Sequence, residues 1–143
     1  MVLESEVADD WMQNMASEMN LSETAFVLKK EDLFEEEVRI CQPKFQRLET
    51  FGLGHLIITA ASSDSIIDFV VRCFVPETGI NEDPVTGSAH CVLAPLWSGF
   101  LNKTDMTSHQ ISKRGGKLLV ACKNNSVEIK GKATTIFEGI LKV

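Results

Sequence analysis

The spacing of apolar residues changes twice along the chain. Between Asp9 and Met19, the residues Trp11, Met12, Met15, Ala16 and Met19 recur at intervals of three and four, the period of one helix face. Asp9 or Asp10 can cap the N–H groups of the first turn. Asn20 suits the left-handed conformation that ends a helix, and Thr24-Ala25-Phe26-Val27-Leu28 then reads as a short strand. Leu21-Ser22-Glu23 therefore falls at a helix-to-strand junction, where rigid elements hold side chains that remain reachable. Residues 29–37 interrupt the pattern with five acids in nine positions and read as a solvated linker. Beyond it the period shortens to two. His55 to Ala60 predicts one strand, Ser62 to Ser65 a turn, and Ile66 to Val75 a second strand. In that second strand Ile67, Phe69, Val71, Cys73 and Val75 share one face, with Asp68 and Arg72 on the other, and this alternation predicts a single buried face.

From Ser88 the period lengthens again. Ala89, Val92, Leu93, Leu96, Trp97, Phe100 and Leu101 cover so much of the circumference that the helix from Ser88 to about Leu101 is expected to be nearly enclosed. Pro95 removes one of its backbone hydrogen bonds and predicts a kink. Gln110 to Lys113, Lys117 to Cys122, Val127 to Lys130 and Ala133 to Val143 read as strands, joined through Gly115-Gly116, Asn124-Asn125 and Gly131. An α+β domain results, with strands around one buried helix. Repeats and low-complexity tracts are absent from the sequence.

A length of 143 residues fits one core, and 44% hydrophobic with 24% charged residues is ordinary globular composition. The formal net charge of −6 repels phosphate backbones and anionic lipid surfaces, so nucleic acid and membrane are not expected as partners. Cys41, Cys73, Cys91 and Cys122 lie far apart without Cys-x-x-Cys or zinc spacing, which points to reduced thiols and no metal. The acidic start Met1-Val2-Leu3-Glu4-Ser5-Glu6 is unlike a secretory signal, and no apolar run approaches the length of a membrane span. A cytoplasmic location is the expectation.

Special residues crowd into Gly79 to His90, at the opening of the enclosed helix. Pro84 stiffens the approach and Gly87 permits close backbone contact. Thr86 and Ser88 place hydroxyls beside N–H groups that the helix itself leaves unsatisfied. A small carboxylate would gain those donors and the positive end of the helix dipole, with Asp83 able to carry or orient a proton. A purely structural reading stands beside it, in which Thr86 or Ser88 caps the helix and Gly87 eases the turn.

Glu82-Asp83-Pro84-Val85-Thr86-Gly87-Ser88-Ala89-His90, preceded by Asp68-Phe69-Val70-Val71-Arg72-Cys73-Phe74-Val75-Pro76, resembles the signature of the phenazine-biosynthesis-like (PhzF) family, its animal members especially. Arg114-Gly115-Gly116 and the strands after it resemble the family's C-terminal end. Glu18-Met19-Asn20-Leu21-Ser22-Glu23-Thr24-Ala25-Phe26 resembles a motif near its N-terminus. The resemblance implies a diaminopimelate-epimerase-like fold, in which two similar halves each wrap strands around a helix and the site lies between them. It also implies cofactor-free isomerisation by proton transfer. Glu23 stands at the position of the family's acid/base, Asp83 at that of its assistant, and Thr86, Gly87, Ser88 and His90 where a small carboxylate substrate is held.

The chain departs from the family pattern in one half. The acidic stretch leads directly into second-half sequence, where a Gly-His motif with its own helix is expected. The resulting division is a remnant of the first half over 1–30, an acidic linker over 31–37, and a nearly complete second half over 38–143. The competing function is accordingly a truncated, inactive relative acting as a binding or interaction module. Gly54-His55 imitates the missing motif but lies on an apolar strand, so the catalytic role is not carried to His55. Cys91 and His90 are adjacent on a helix and point in different directions, which disfavours a Cys–His pair. His90 itself either lines the cleft or makes a helix-face hydrogen bond. His109 reads as exposed, and Met12, Met15, Met19 and Trp11 as core. Apolar surface left uncovered by the missing half predicts a homo-oligomer.

Overall fold

Runs of β-branched and apolar residues build the sheet. The computed structural model describes residues 26–27, 34–46 and 55–141. In them, seven strands form one mixed sheet: β1 (Phe26–Val27), β2 (Leu56–Ala61), β3 (Phe69–Val75), β4 (Ile80–Asp83), β5 (Asp105–Gln110), β6 (Gly116–Lys123) and β7 (Ser126–Gly131). The α-helices α1 (Glu35–Ile40) and α2 (His90–Leu101) and a 3-10 turn at Pro76–Thr78 accompany them. The strand order is β1-β2-β3-β5-β6-β7, with β4 also paired to β3. β1 runs parallel to β2, and β3 parallel to β5; the remaining pairs are antiparallel.

β3 changes partner along one edge. Its first half, Phe69 to Val71, pairs with Ser108 to Gln110 of β5. Its second half pairs through Cys73 with Asp83 and through Val75 with Ile80 of β4. The carboxyl ends of β5 and β4 thus converge on the middle of β3, and both chains must leave the sheet there. Such a divergence opens a crevice by topology alone.

Each face of β3 buries against a helix. Ile57, Phe69, Val71, Cys73, Met106, Leu118 and Val120 pack on Ala89, Leu93, Ala94 and Leu96 of α2 and its entry, so strands from β2 to β6 surround that helix. Trp97 of α2 stacks on Phe69 at 5.4 Å and donates its indole N–H to Thr59 Oγ1 at 3.0 Å. On the opposite face Leu56, Ile58, Ala60, Val70 and Phe74 pack around Val38 of α1. The single buried face expected for β3 is thereby corrected: Val70 and Phe74 are as deeply buried as Val71 and Cys73, because α1 covers them.

Other expectations shift as well. The acidic stretch is not all linker, since Glu35 to Glu37 form the first turn of α1, where negative charge favours the N-terminus of a helix. α2 begins at His90 and runs through Pro95 to Leu101, ending at Asn102 with φ 51°. It is less enclosed than the near-complete burial expected, because Phe100 is exposed while His90, Leu93, Ala94 and Leu96 are buried. The strand expected at Gln110 to Lys113 lies earlier, at Asp105–Gln110, and residues 132–141 have no regular structure. His109 is half-buried on β5 rather than exposed. The expected helix over 9–19 and the junction carrying Glu23 fall outside the described residues. Among the described residues, no helix is long and apolar enough to cross a membrane.

Candidate active site

The crevice between β4 and β5 is closed by one buried amide. Gln110 ends β5 on the face that meets α2 and is fully buried. Its Oε1 accepts the N–H of Thr86 at 2.7 Å, and its Nε2 donates to the carbonyl of Asp83 at 2.7 Å and to Thr86 Oγ1 at 3.1 Å. Thr86 Oγ1 in turn donates to Asp83 Oδ2 at 2.7 Å. The loop leaving β4 is therefore folded back so that the Asp83 carboxylate sits over the first residues leading into α2. Ser112 adds a second tie, donating to the carbonyl of Pro84 at 2.7 Å while accepting the N–H of Gly115 at 3.1 Å. Gly115 takes a φ of 71°, which favours glycine.

His90 locks the far side of the same loop. Its Nδ1 lies 2.8 Å from the carbonyl of Thr86, which can only accept, so Nδ1 carries the proton. Nε2 then accepts from Ser108 Oγ at 2.8 Å. Burial lowers the pKa of this imidazole, consistent with a neutral ring. Beyond Thr86, the N–H groups of Gly87, Ser88 and Ala89 have no acceptor among the described residues, whereas those of His90 and Cys91 bond back to Gly87 and Ser88. The donors of Gly87 and Ser88 are on exposed residues at the positive end of the helix, whereas Ala89 is buried. A Cβ on Gly87 would meet nothing within 4 Å, so there is free space beside this exposed residue.

An open groove of about 550 Å³ runs beside this loop, lined by Glu82, Pro84, Ser112, Lys113 and Arg114. Glu82 is already engaged: Arg72 Nε and Nη2 donate to its two oxygens at 2.6 and 3.0 Å. Beneath the loop, burial pushes the Cys73 thiol up to about 12, which keeps it protonated and unreactive.

Among the sequence candidates, Asp83, Thr86, Gly87, Ser88 and His90 come together around one loop. Their parts differ from a uniform binding set. The Thr86 hydroxyl is engaged by Gln110 and Asp83, and both ring nitrogens of His90 are bonded inside the fold. Of the two roles left open for His90, the geometry shows the helix-face hydrogen bond. Gly87 and Ser88 are exposed and present open backbone. Glu23 lies outside the described residues, and His55 is exposed at the start of β2. Gln110, Ser108 and Ser112 carry much of the site, and the sequence reading gives none of them a site role. The available signal is parity: Met106, Ser108 and Gln110 alternate on one strand face, and polar residues at core positions mark a hydrogen-bond network.

The family model described as phenazine biosynthesis-like protein matches residues 1–46 and 34–139. An uncharacterized isomerase of Halalkalibacterium halodurans is 41% identical over 107 residues, 75% of this chain and 40% of that protein. An uncharacterized isomerase of Pseudomonas aeruginosa is 39% identical over 122 residues, 82% of this chain and 46% of its own. A phenazine biosynthesis-like domain-containing protein of Bos taurus is 39% identical, matching 76% of this chain and 40% of that protein. The crystal structure of a PhzC/PhzF protein from Clostridium difficile superposes with a TM-score of 0.70 at 38% identity, over 85% of this chain and 45% of that one. This chain spans less than half the length of each of these relatives. A motif at the mouth of α2, a matching fold and a family model covering most of the sequence agree: the chain belongs to the phenazine biosynthesis-like protein family.

Proposed function

We propose that the chain provides the substrate-holding half of a diaminopimelate-epimerase-like isomerase that moves a proton on a small carboxylated metabolite without a cofactor. The observation that carries the reading is the hydrogen bond that ties the Asp83 carboxylate to Thr86, the residue just before the exposed Gly87 and Ser88, whose N–H groups have no acceptor among the described residues. A substrate carboxylate on those donors would satisfy hydrogen bonds that the helix leaves unmade and would gain from the helix dipole. Asp83 is then within the same loop to relay or orient a proton, and Glu23 is the proposed acid/base. The names of bacterial relatives as isomerases support the reaction class.

Hydrogen exchange in heavy water with 2-keto and unsaturated carboxylic acids tests the proposal. Deuterium incorporation that disappears in Glu23→Gln and Asp83→Asn is the expected result. Carboxylate binding without incorporation would instead establish the module reading. Gly87→Ala separates binding from folding: its Cβ meets nothing within the protein, so melting is unchanged or slightly raised, while the methyl group obstructs the donors and weakens carboxylate binding.

A further inference from the structure

We infer that Gln110 is a positioning residue that fixes the direction of the Thr86 hydroxyl hydrogen, so that Asp83 meets its ligand already holding a donated hydrogen bond on Oδ2. The inference rests on the proposed role of Asp83 for its catalytic meaning, and on hydrogen-bond geometry for the rest. Two backbone groups determine the orientation of the Gln110 amide. The N–H of Thr86 can only donate, so the atom 2.7 Å from it is Oε1. The carbonyl of Asp83 can only accept, so the atom 2.7 Å from it is Nε2. Nε2 also faces Thr86 Oγ1 at 3.1 Å, and an amide nitrogen has no lone pair to offer. Thr86 must therefore accept from it. The single hydroxyl hydrogen is left for Asp83 Oδ2, at 2.7 Å.

Full burial of Gln110 keeps water from replacing any of its three contacts, and Asp83 Oδ1 has no partner among the described residues. One carboxylate oxygen is thus committed to the protein while the other is left for a ligand. Glutamate at 110 would keep the acceptor for the Thr86 N–H but lose both donors, freeing the hydroxyl to turn from Asp83 toward residue 110. Methionine would lose all three contacts. Glutamine alone among residues of this shape satisfies the set.

Proton NMR tests the geometry without any activity. The Thr86 hydroxyl proton is expected as a resolved, slowly exchanging signal in the wild-type chain, lost in Gln110→Glu while the Thr86 amide stays protected. A wild-type hydroxyl that exchanges freely, or one that persists in Gln110→Glu, overturns the inference. In the heavy-water assay, Gln110→Glu and Thr86→Val are each expected to slow incorporation about tenfold to a hundredfold at saturating substrate, with KM changed by no more than about twofold. Because both act through the same hydrogen, the double variant is expected to be no slower than the slower single one, and Thr86→Ser to retain the rate. Losses that multiply would mean independent roles and overturn the inference. If Gln110→Glu does not fold, the wild-type hydroxyl signal and the Thr86→Val and Thr86→Ser rates decide it. Absence of incorporation in the wild type would defeat the isomerase reading alone, leaving the NMR result to decide the role of Gln110.

Discussion

Glu35 shows how much one side chain in a charge-dense stretch can do. Its Oε2 accepts the N–H and O–H of Ser63, both at 2.8 Å, and Ser62 Oγ at 3.2 Å, while Arg39 donates to Oε1 at 2.6 Å. The Ser63 backbone and hydroxyl hydrogen bonds lead in lowering its pKa from 4.5 to about 2. The folded value lies below the unfolded one, so the stabilisation is complete above pH 4.5 and fades as pH falls toward about 2. Glu35→Gln is expected to cost about 1 kcal/mol at neutral pH, given its partial exposure, and the gap from wild type should close on acidification in urea titrations. A gap independent of pH would contradict this account. At Gly116 the constraint is steric, since a Cβ there would collide with Val85 Cγ2 in the site loop. Gly116→Ala should cost about 1–3 kcal/mol in denaturant titrations, with partial recovery on adding Val85→Ala. These residues also mark what the sequence discloses. Asp83, Thr86, Gly87 and Ser88 are adjacent in the chain and legible as one loop. Gln110 is not: strand parity marks it as a polar residue at a core position, but its partners come from the convergence of β4 and β5, a fact of topology that local spacing does not carry.

Arg72 does the corresponding work between elements. It projects from β3 toward α1, where Nη1 donates to the carbonyls of Val38, Arg39 and Cys41 at 3.2, 3.1 and 2.6 Å. Those carbonyls lie at the helix end and lack helical partners. The same guanidinium grips both Glu82 oxygens on β4 and lies 4.7 Å over the Phe74 ring. One side chain therefore ties α1, β3 and the strand that ends in Asp83. Arg72→Met should cost about 3 kcal/mol, since it strands a poorly exposed carboxylate together with the carbonyls. Arg72→Lys should recover little, because an ammonium lacks the planar fork. Faster amide exchange throughout α1 would localise the effect; loss confined to β4 would show that the helix contact is incidental. β6 and α2 are readable from apolar period because one face of each is buried and the other is not. α1 is hidden because six residues, three of them acidic, leave only Val38 to pay its way in the core. The double burial of β3 follows from that same hidden helix.

For the molecule as a whole, apolar surface and charge oppose each other. Ile136, Phe137, Ile140 and Leu141 are 86–92% exposed, in a segment without regular structure after β7. Burying a side chain of this kind is worth about 1.5–3 kcal/mol, so four together offer about 6–12 kcal/mol. Bringing two copies together costs about 4–15 kcal/mol, so the balance is close and predicts weak, concentration-dependent self-association rather than a tight assembly. The net charge of −6 makes the copies repel one another, and salt screens that repulsion while leaving apolar burial in place. Association should therefore strengthen as salt is raised, the opposite of an interface held by ion pairs. Sedimentation velocity across a concentration series at low and high salt reads this directly. Ile136→Asp with Phe137→Asp should abolish the association without lowering Tm, because both side chains are almost fully exposed to solvent. Association that weakens with salt would place the contact on charged groups instead, and a monomer at every concentration would mean that ordering the segment costs more than its apolar surface returns.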